Sequence, residues 1–156
     1  MADVRPPTGS LNVEPSLNSD GTCNTGDVEN WGEPEAPASA CGGRFPIIFV
    51  NGSANIQGGG RGQGILLVAG DLDLRGGFAF YGLVIVQGNF ETQGNGNRIY
   101  GAVMARNVTL GSEILTGGSV VQYSKCAVTR AILNSDLTRA RRLPNRSWVD
   151  VSYLVN

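Results

Sequence analysis

Ile47-Ile-Phe-Val50, Ile65-Leu-Leu-Val68, Leu83-Val-Ile-Val86, Ala102-Val-Met-Ala105 and Val120-Val-Gln122 are five short apolar runs set about eighteen residues apart. So even a spacing predicts stacked coils, because one short run cannot bury its own apolar surface but can do so against the runs above and below it. The residues after each of the first three runs repeat as well. Val50-Asn-Gly-Ser-Ala-Asn-Ile56-Gln-Gly58, Val68-Ala-Gly-Asp-Leu-Asp-Leu74-Arg-Gly76 and Val86-Gln-Gly-Asn-Phe-Glu-Thr92-Gln-Gly94 align without a gap.

That alignment produces four columns. Ile48, Leu66, Val84, Val103 and Val121 form one; Val50, Val68, Val86 and Ala105 a second; Ala54, Leu72, Phe90 and Val108 a third; Ile56, Leu74, Thr92 and Leu110 a fourth. Alternate side chains of a strand point to opposite faces, so all four columns can share one interior while Asp71, Asp73, Asn89 and Glu91 face water. Glycines at 52, 70 and 88, and again at 58, 76 and 94, mark corners where positive φ is favoured. Phe78-Ala-Phe80-Tyr81 and Asn97-Arg-Ile99-Tyr100 supply a third side, closed by Gly82 or Gly101, whereas Gly58-Gly-Gly-Arg-Gly-Gln-Gly64 reads as a looser loop there.

The fold expected is therefore all-β: a single-domain parallel β-helix of about five rungs of roughly 18 residues, triangular in section. A right-handed sense is favoured, as for parallel crossovers in general. The boundaries read as an irregular cap over 1–44, the solenoid over 45–125, a helix over 126–142 packed on one wall, and an extended tail over 143–156. Within the cap, Gly9-Ser-Leu-Asn-Val-Glu has the composition of part of another rung. In the helix, Val128, Ala131, Ile132 and Ser135 fall on one face. The tail alternates at Val149, Val151, Tyr153 and Val155, with Trp148 as a packing anchor.

The helix needs an apolar surface, and the first strand of each rung offers one. Its outward positions Ile47 and Phe49, Ile65 and Leu67, Leu83 and Ile85, and Ala102 and Met104 are as apolar as its inward ones. A strand apolar on both faces is buried on both faces. Either the helix covers this wall, or part of it receives another subunit or a further part of a longer chain.

A net charge of -1 lacks the basic footprint of a nucleic-acid binder. Arg139, Arg141, Arg142 and Arg146 cluster only near the C-terminus and read as a solvated helix face and its exit. The chain has no histidine, which removes Ser-His-Asp and Cys-His mechanisms, and with no Cys-x-x-Cys spacing it has no zinc pattern. No cofactor, metal site or catalytic residue is expected. Cys23 and Cys41 lie in an irregular stretch where a crosslink stabilises most, by about 3 kcal/mol. Cys126 is then free or an alternative partner for Cys41, and three reduced thiols are the remaining reading.

Cys41-Gly-Gly-Arg-Phe-Pro-Ile-Ile, Gly62-Gln-Gly-Ile-Leu-Leu-Val-Ala-Gly-Asp-Leu, Phe80-Tyr-Gly-Leu-Val-Ile-Val, Ile99-Tyr-Gly-Ala-Val-Met, Val121-Gln-Tyr-Ser-Lys-Cys-Ala-Val and Arg146-Ser-Trp-Val occur in that order. Together they resemble the C-terminal region of PilX-type pilus assembly proteins over roughly residues 41–150. The resemblance implies a bacterial, type IV pilus-associated protein with an N-terminal pilin-like membrane helix, the rest lying outside the cytoplasm. This chain carries no such helix, so the expectation is a soluble part of a longer membrane-anchored protein. Its partners would be other pilus or surface-assembly subunits, or a surface glycan, at the cell surface or in the pilus.

Two other classes stand beside a structural or adhesive module. A polysaccharide-cleaving β-helix would use Asp71 and Asp73 as acid and base with Arg75, Arg106 or Lys125 nearby, but Ser53 and Asn55, and Asn89 and Glu91, occupy the matching positions of the neighbouring rungs. A bactofilin-like cytoskeletal polymer would stack solenoids end to end, which the cap-like segments at both ends oppose.

Overall fold

A computed structural model of the chain describes residues 2–93, 96–108 and 119–136. The strands are β1 (Gly9–Leu11), β2 (Ile47–Val50), β3 (Ala54–Ile56), β4 (Arg61–Val68), β5 (Leu72–Arg75), β6 (Ala79–Gln93), β7 (Arg98–Val108) and β8 (Val120–Tyr123), followed by the helix α1 (Lys125–Asn134). Every strand pairing is parallel, and the pairs assemble into three ladders of a β-solenoid with about four turns. Parallel strands joined through corners, with one residue of each turn above its counterpart in the last, are what an eighteen-residue repeat dictates.

The first ladder stacks Ile48, Leu66, Val84 and Val103, together with Val50, Val68, Val86 and Ala105. The second stacks Leu11, Ile56, Leu74 and Thr92, together with Ala54, Leu72, Phe90 and Val108. Both reproduce the columns of the repeat, and Leu110 lies outside the described residues. The third ladder differs from expectation. Val121 pairs with Ile99 and Val120 with Arg98, so this run lies on the third side and not above Val103. Its spacing of eighteen from Ala102 misleads because the last turn is longer: Arg98 to Val120 spans 22 residues, against 18 from Arg61 to Ala79.

The first turn's glycine-rich stretch is likewise a strand on this side, not a loop. Arg61, Gly62 and Gln63 pair with Ala79, Phe80 and Tyr81. Gly62 contributes no side chain to the interior, and Trp31, reaching in from the cap, takes the space: a Cβ on Gly62 would lie 2.9 Å from the Trp31 Cβ. The indole is wholly buried, edge-on to Phe78 at 6.1 Å and to Phe80 at 6.4 Å, and its Nε1–H donates to the Val28 carbonyl at 2.9 Å.

Residues before β2 thus build an incomplete turn beneath the repeat. Val4 bridges to Ile48, β1 pairs with β3, and the carbonyls of Val13 and Trp31 accept the Arg61 and Gln63 amides on the third side. Between Val13 and Trp31 the chain leaves the ladder for an excursion closed by the Cys23–Cys41 disulfide. Asn30, fully buried beneath it, donates to the Ser16 and Asn24 carbonyls and accepts from the Gly32 amide. Arg44 donates to the Asn30 and Thr25 carbonyls, and the Glu33 carboxylate takes Arg61 Nε at 2.7 and 2.8 Å. Replacing Cys23 and Cys41 together by serine is expected to lower stability by about 3 kcal/mol, the cost of freeing a loop of this length. Urea unfolding with and without reductant measures it.

The corners divide into two kinds. Gly52, Gly58 and Gly76 have the positive φ that the repeat suggests, whereas Gly70 and Gly88 do not. At those two corners space decides: a Cβ on Gly70 would sit 2.5 Å from Ser53 Oγ, and one on Gly88 2.8 Å from the Gly70 carbonyl. Gly94 lies outside the described residues. Between the second and third sides, Asn97 joins two neighbouring turns. Its Oδ1 accepts the Gly77 and Phe78 amides, and its Nδ2 donates to the Leu74 and Gln93 carbonyls.

Candidate binding surfaces

Helix α1 starts at Ser124, whose Oγ accepts the Ala127 amide at 3.2 Å, the side-chain cap expected of serine there. It ends at Asn134, and positions 137–142 of the expected helix lie outside the described residues, as do the arginine cluster, the tail and Trp148. The helix packs against β4, β6 and β7. Ala131 is buried with Ile47 and Ile65, and Ser135 Oγ donates to the Phe45 carbonyl at 3.1 Å. Ile132, expected on the inner face, is 42% exposed. The contact is made by small residues because the helix crosses a corner, where Ala131 approaches the backbone at Gly82.

The outward wall is therefore divided. Its leading column, Ile47, Ile65 and Leu83, lies beneath or beside α1, with Leu67 partly packed into the same cluster. The trailing column, Phe49, Leu67, Ile85 and Met104, passes from half-buried to exposed, Met104 reaching 59%. Phe49 has a charged companion, the Arg5 guanidinium 5.4 Å from its ring centroid. Among the described residues the helix shields the leading column and leaves Met104 of the trailing one exposed.

The second side carries the carboxylates weighed as an acid–base pair. Asp71 sits at a corner, where its Oδ1 accepts the Asn89 amide at 2.7 Å while its own amide donates to Ser53 Oγ at 3.0 Å. Ser53, Asp71 and Asn89 are one residue per turn, so the Ser53 and Asp71 side chains each satisfy the backbone of the corner above. Asp73 accepts Arg75 Nε at 2.6 Å, and this bond raises the Arg75 pKa. Lys125 opens α1 at a different corner, and the structure does not gather it with Asp71 and Asp73. Asp71→Ala is expected to cost roughly 1 kcal/mol through the lost amide bond, read as a shift in thermal midpoint.

On the third side the register lines up Gln63, Tyr81, Tyr100 and Gln122, with Gln63 buried and its Nε2 donating to the Gly42 and Arg44 carbonyls. Tyr81 and Tyr100 stack with centroids 4.8 Å apart and planes 28° from parallel. Alongside them runs a cleft of about 200 Å³ lined by Phe45, Pro34, Ser124, Cys126, Ala127 and Arg130. Arg130 holds its guanidinium 5.3 Å from the Phe45 ring centroid. Burial, and then the negative charge of Glu35, raise the Tyr81 phenol above its ordinary pKa. Cys126 is exposed, with no disulfide partner among the described residues.

Neither Trp31 nor this cleft is legible in the repeat alone. The signal for Trp31 is an absence: Gly62 leaves a gap in the inward sequence Gly62, Phe80, Ile99, which requires a large apolar residue from elsewhere. The signal for the cleft is the pair Tyr81 and Tyr100 at equivalent outward positions. Among the described residues no three His, Cys, Asp or Glu side chains come together as a metal site, and no helix is long and apolar enough to cross a membrane. Comparison of the chain with protein-family models, curated proteins and solved structures gave no match.

Proposed function

We propose that this chain is a non-catalytic structural or adhesive module of a pilus-associated, surface-exposed bacterial protein. The observation that carries the reading is the outward apolar column of half-buried Phe49, Leu67 and Ile85 and exposed Met104 on a regular β-wall. Such a column on a regular wall suits lateral contact with another subunit. The Cys23–Cys41 disulfide supports an oxidising compartment, where such bonds persist. The ordered motifs shared with PilX-type proteins support the pilus as the setting. Asp71 and Asp73 are committed to the corner amide and to Arg75, which weighs against the polysaccharide-cleaving reading. Trp31 and β1 cover one end of the solenoid, which weighs against end-to-end polymerisation.

The test uses cells that carry the gene. Thiol alkylation on lysis is expected to find Cys23 and Cys41 oxidised, and protease added to intact cells is expected to remove the protein. Ile85→Lys with Met104→Lys is expected to abolish recovery with pilus subunits while leaving the thermal midpoint within a few degrees. Reduced thiols together with full protection in intact cells would refute the surface assignment. Unchanged recovery of the double variant would refute the wall.

A further inference from the structure

We propose that the cleft between α1 and the third side binds an acidic polysaccharide, with one carboxylated pyranose seated over Tyr81 and Tyr100 and its carboxylate on Arg130. The inference names a partner for the adhesive reading above and rests on it only in the choice of an extracellular polymer.

The floor is the pair of outward tyrosines on successive rungs, Tyr81 and Tyr100, with ring centroids 4.8 Å apart. That step is close to the length of one pyranose residue in an extended glycan, so neighbouring sugars meet Tyr81 and Tyr100 in similar settings. A peptide has a shorter repeat per residue and alternates its side chains, and so would not keep that match. The cleft's volume of about 200 Å³ suits one sugar ring of a longer chain.

Its chemistry is mixed in the way a sugar requires. Phe45, Pro34 and Ala127 offer apolar contact to C–H groups, and the tyrosines and Ser124 offer polar atoms. Stacking turns the tyrosine rings toward each other, so recognition falls to their edges and hydroxyls together with the surrounding wall. Charge selects the acid. Arg130 lines the cleft, and Arg98 is exposed on β7 two residues before Tyr100. The opposing carboxylate, Glu35, also faces Arg61, at 3.9 Å, which offsets its repulsion. Guanidinium with carboxylate is the strongest hydrogen-bonded pairing open to this site.

The experiment is an amide NMR titration of the purified protein with trigalacturonic acid, and separately with the neutral maltotriose. Trigalacturonic acid is expected to shift the amides of Gln63, Tyr81, Tyr100 and Ala127 saturably. Arg130→Gln, an exposed helix position, is expected to weaken binding roughly tenfold or more, and Tyr81→Phe severalfold, both without unfolding. No shift at these amides up to about 10 mM acid, equal response to the neutral sugar, or unaltered affinity in Arg130→Gln would overturn the proposal. So would saturation of the cleft by a Tyr-Gly dipeptide in place of the sugar, which would mark it as a peptide site. These results are independent of where the protein resides in the cell, so failure here and failure of the surface assignment are distinguishable.

Discussion

Gly82→Ala is expected to prevent folding, leaving a protein without the cooperative transition of the parent. Gly64, Gly82 and Gly101 stand above one another at the corner between the third and first sides, with φ of 115°, 148° and 152°. These backbone angles cost an L-residue about 1–3 kcal/mol by themselves. Space adds more. A Cβ at Gly82 would lie 3.0 Å from the Gly64 carbonyl carbon, closer still to its oxygen, and 3.2 Å from the Ala131 Cβ of the helix above. The Gly64 carbonyl cannot retreat, because the ladder on either side fixes it. Strain and overlap together exceed the usual penalty of a surface substitution several times over. Circular dichroism and urea unfolding measure the effect. Gly43→Ala, at an exposed glycine where a Cβ meets nothing within 4 Å, is the matched control and is expected to be nearly neutral.

Trp31→Ala is expected to lower stability by about 3–5 kcal/mol, the range for removing a buried large aromatic side chain. The loss has three physical parts. Removal of the indole opens a cavity against Phe78 and Phe80, since Gly62 has no side chain to move into it. The lower end of the core, where Val13 and Leu11 are buried, becomes accessible to water. The Val28 carbonyl also loses its indole donor. Trp31→Phe restores part of the volume and is expected to recover about half of the loss. Denaturant unfolding compares the three proteins. A Trp31→Ala midpoint equal to the parent's would mean that the cap does not close the core.

The repeat made the body of this fold legible because each apolar column has one physical requirement, burial against the rung below, and Ile48, Leu66 and Val84 meet it at identical spacing. It misled where the period and the ladder part company. Val120 follows Ala102 by the repeat length, yet the longer last turn carries it to the third side. Residues that act once were harder to read. Trp31 fills the place of a missing side chain in a strand thirty residues later, and Asn97 bonds amides and carbonyls on more than one turn; neither function leaves a period. The outward wall was legible as an apolar surface, but its division was not. That division depends on where α1 crosses the corner, and the crossing is set by Ala131 against Gly82 and not by the largest apolar residues of the helix.

Paired cysteines across the ladder test the central claim, that the turns stack in parallel register, with a step of eighteen residues from β3 to β5 to β6. Asn55 and Asp73 are direct partners on the outward face of the second side, so their Cα atoms stand about one strand spacing apart, within disulfide range. In a Cys126→Ser background, Asn55→Cys with Asp73→Cys is expected to form an intramolecular disulfide in high yield under mild oxidation, identified by peptide mass spectrometry. Asn55→Cys with Glu91→Cys, two rungs apart, is expected to remain reduced. A folded protein in which the second pair closes and the first does not would contradict the stacked register on which the fold, the wall and the cleft all depend.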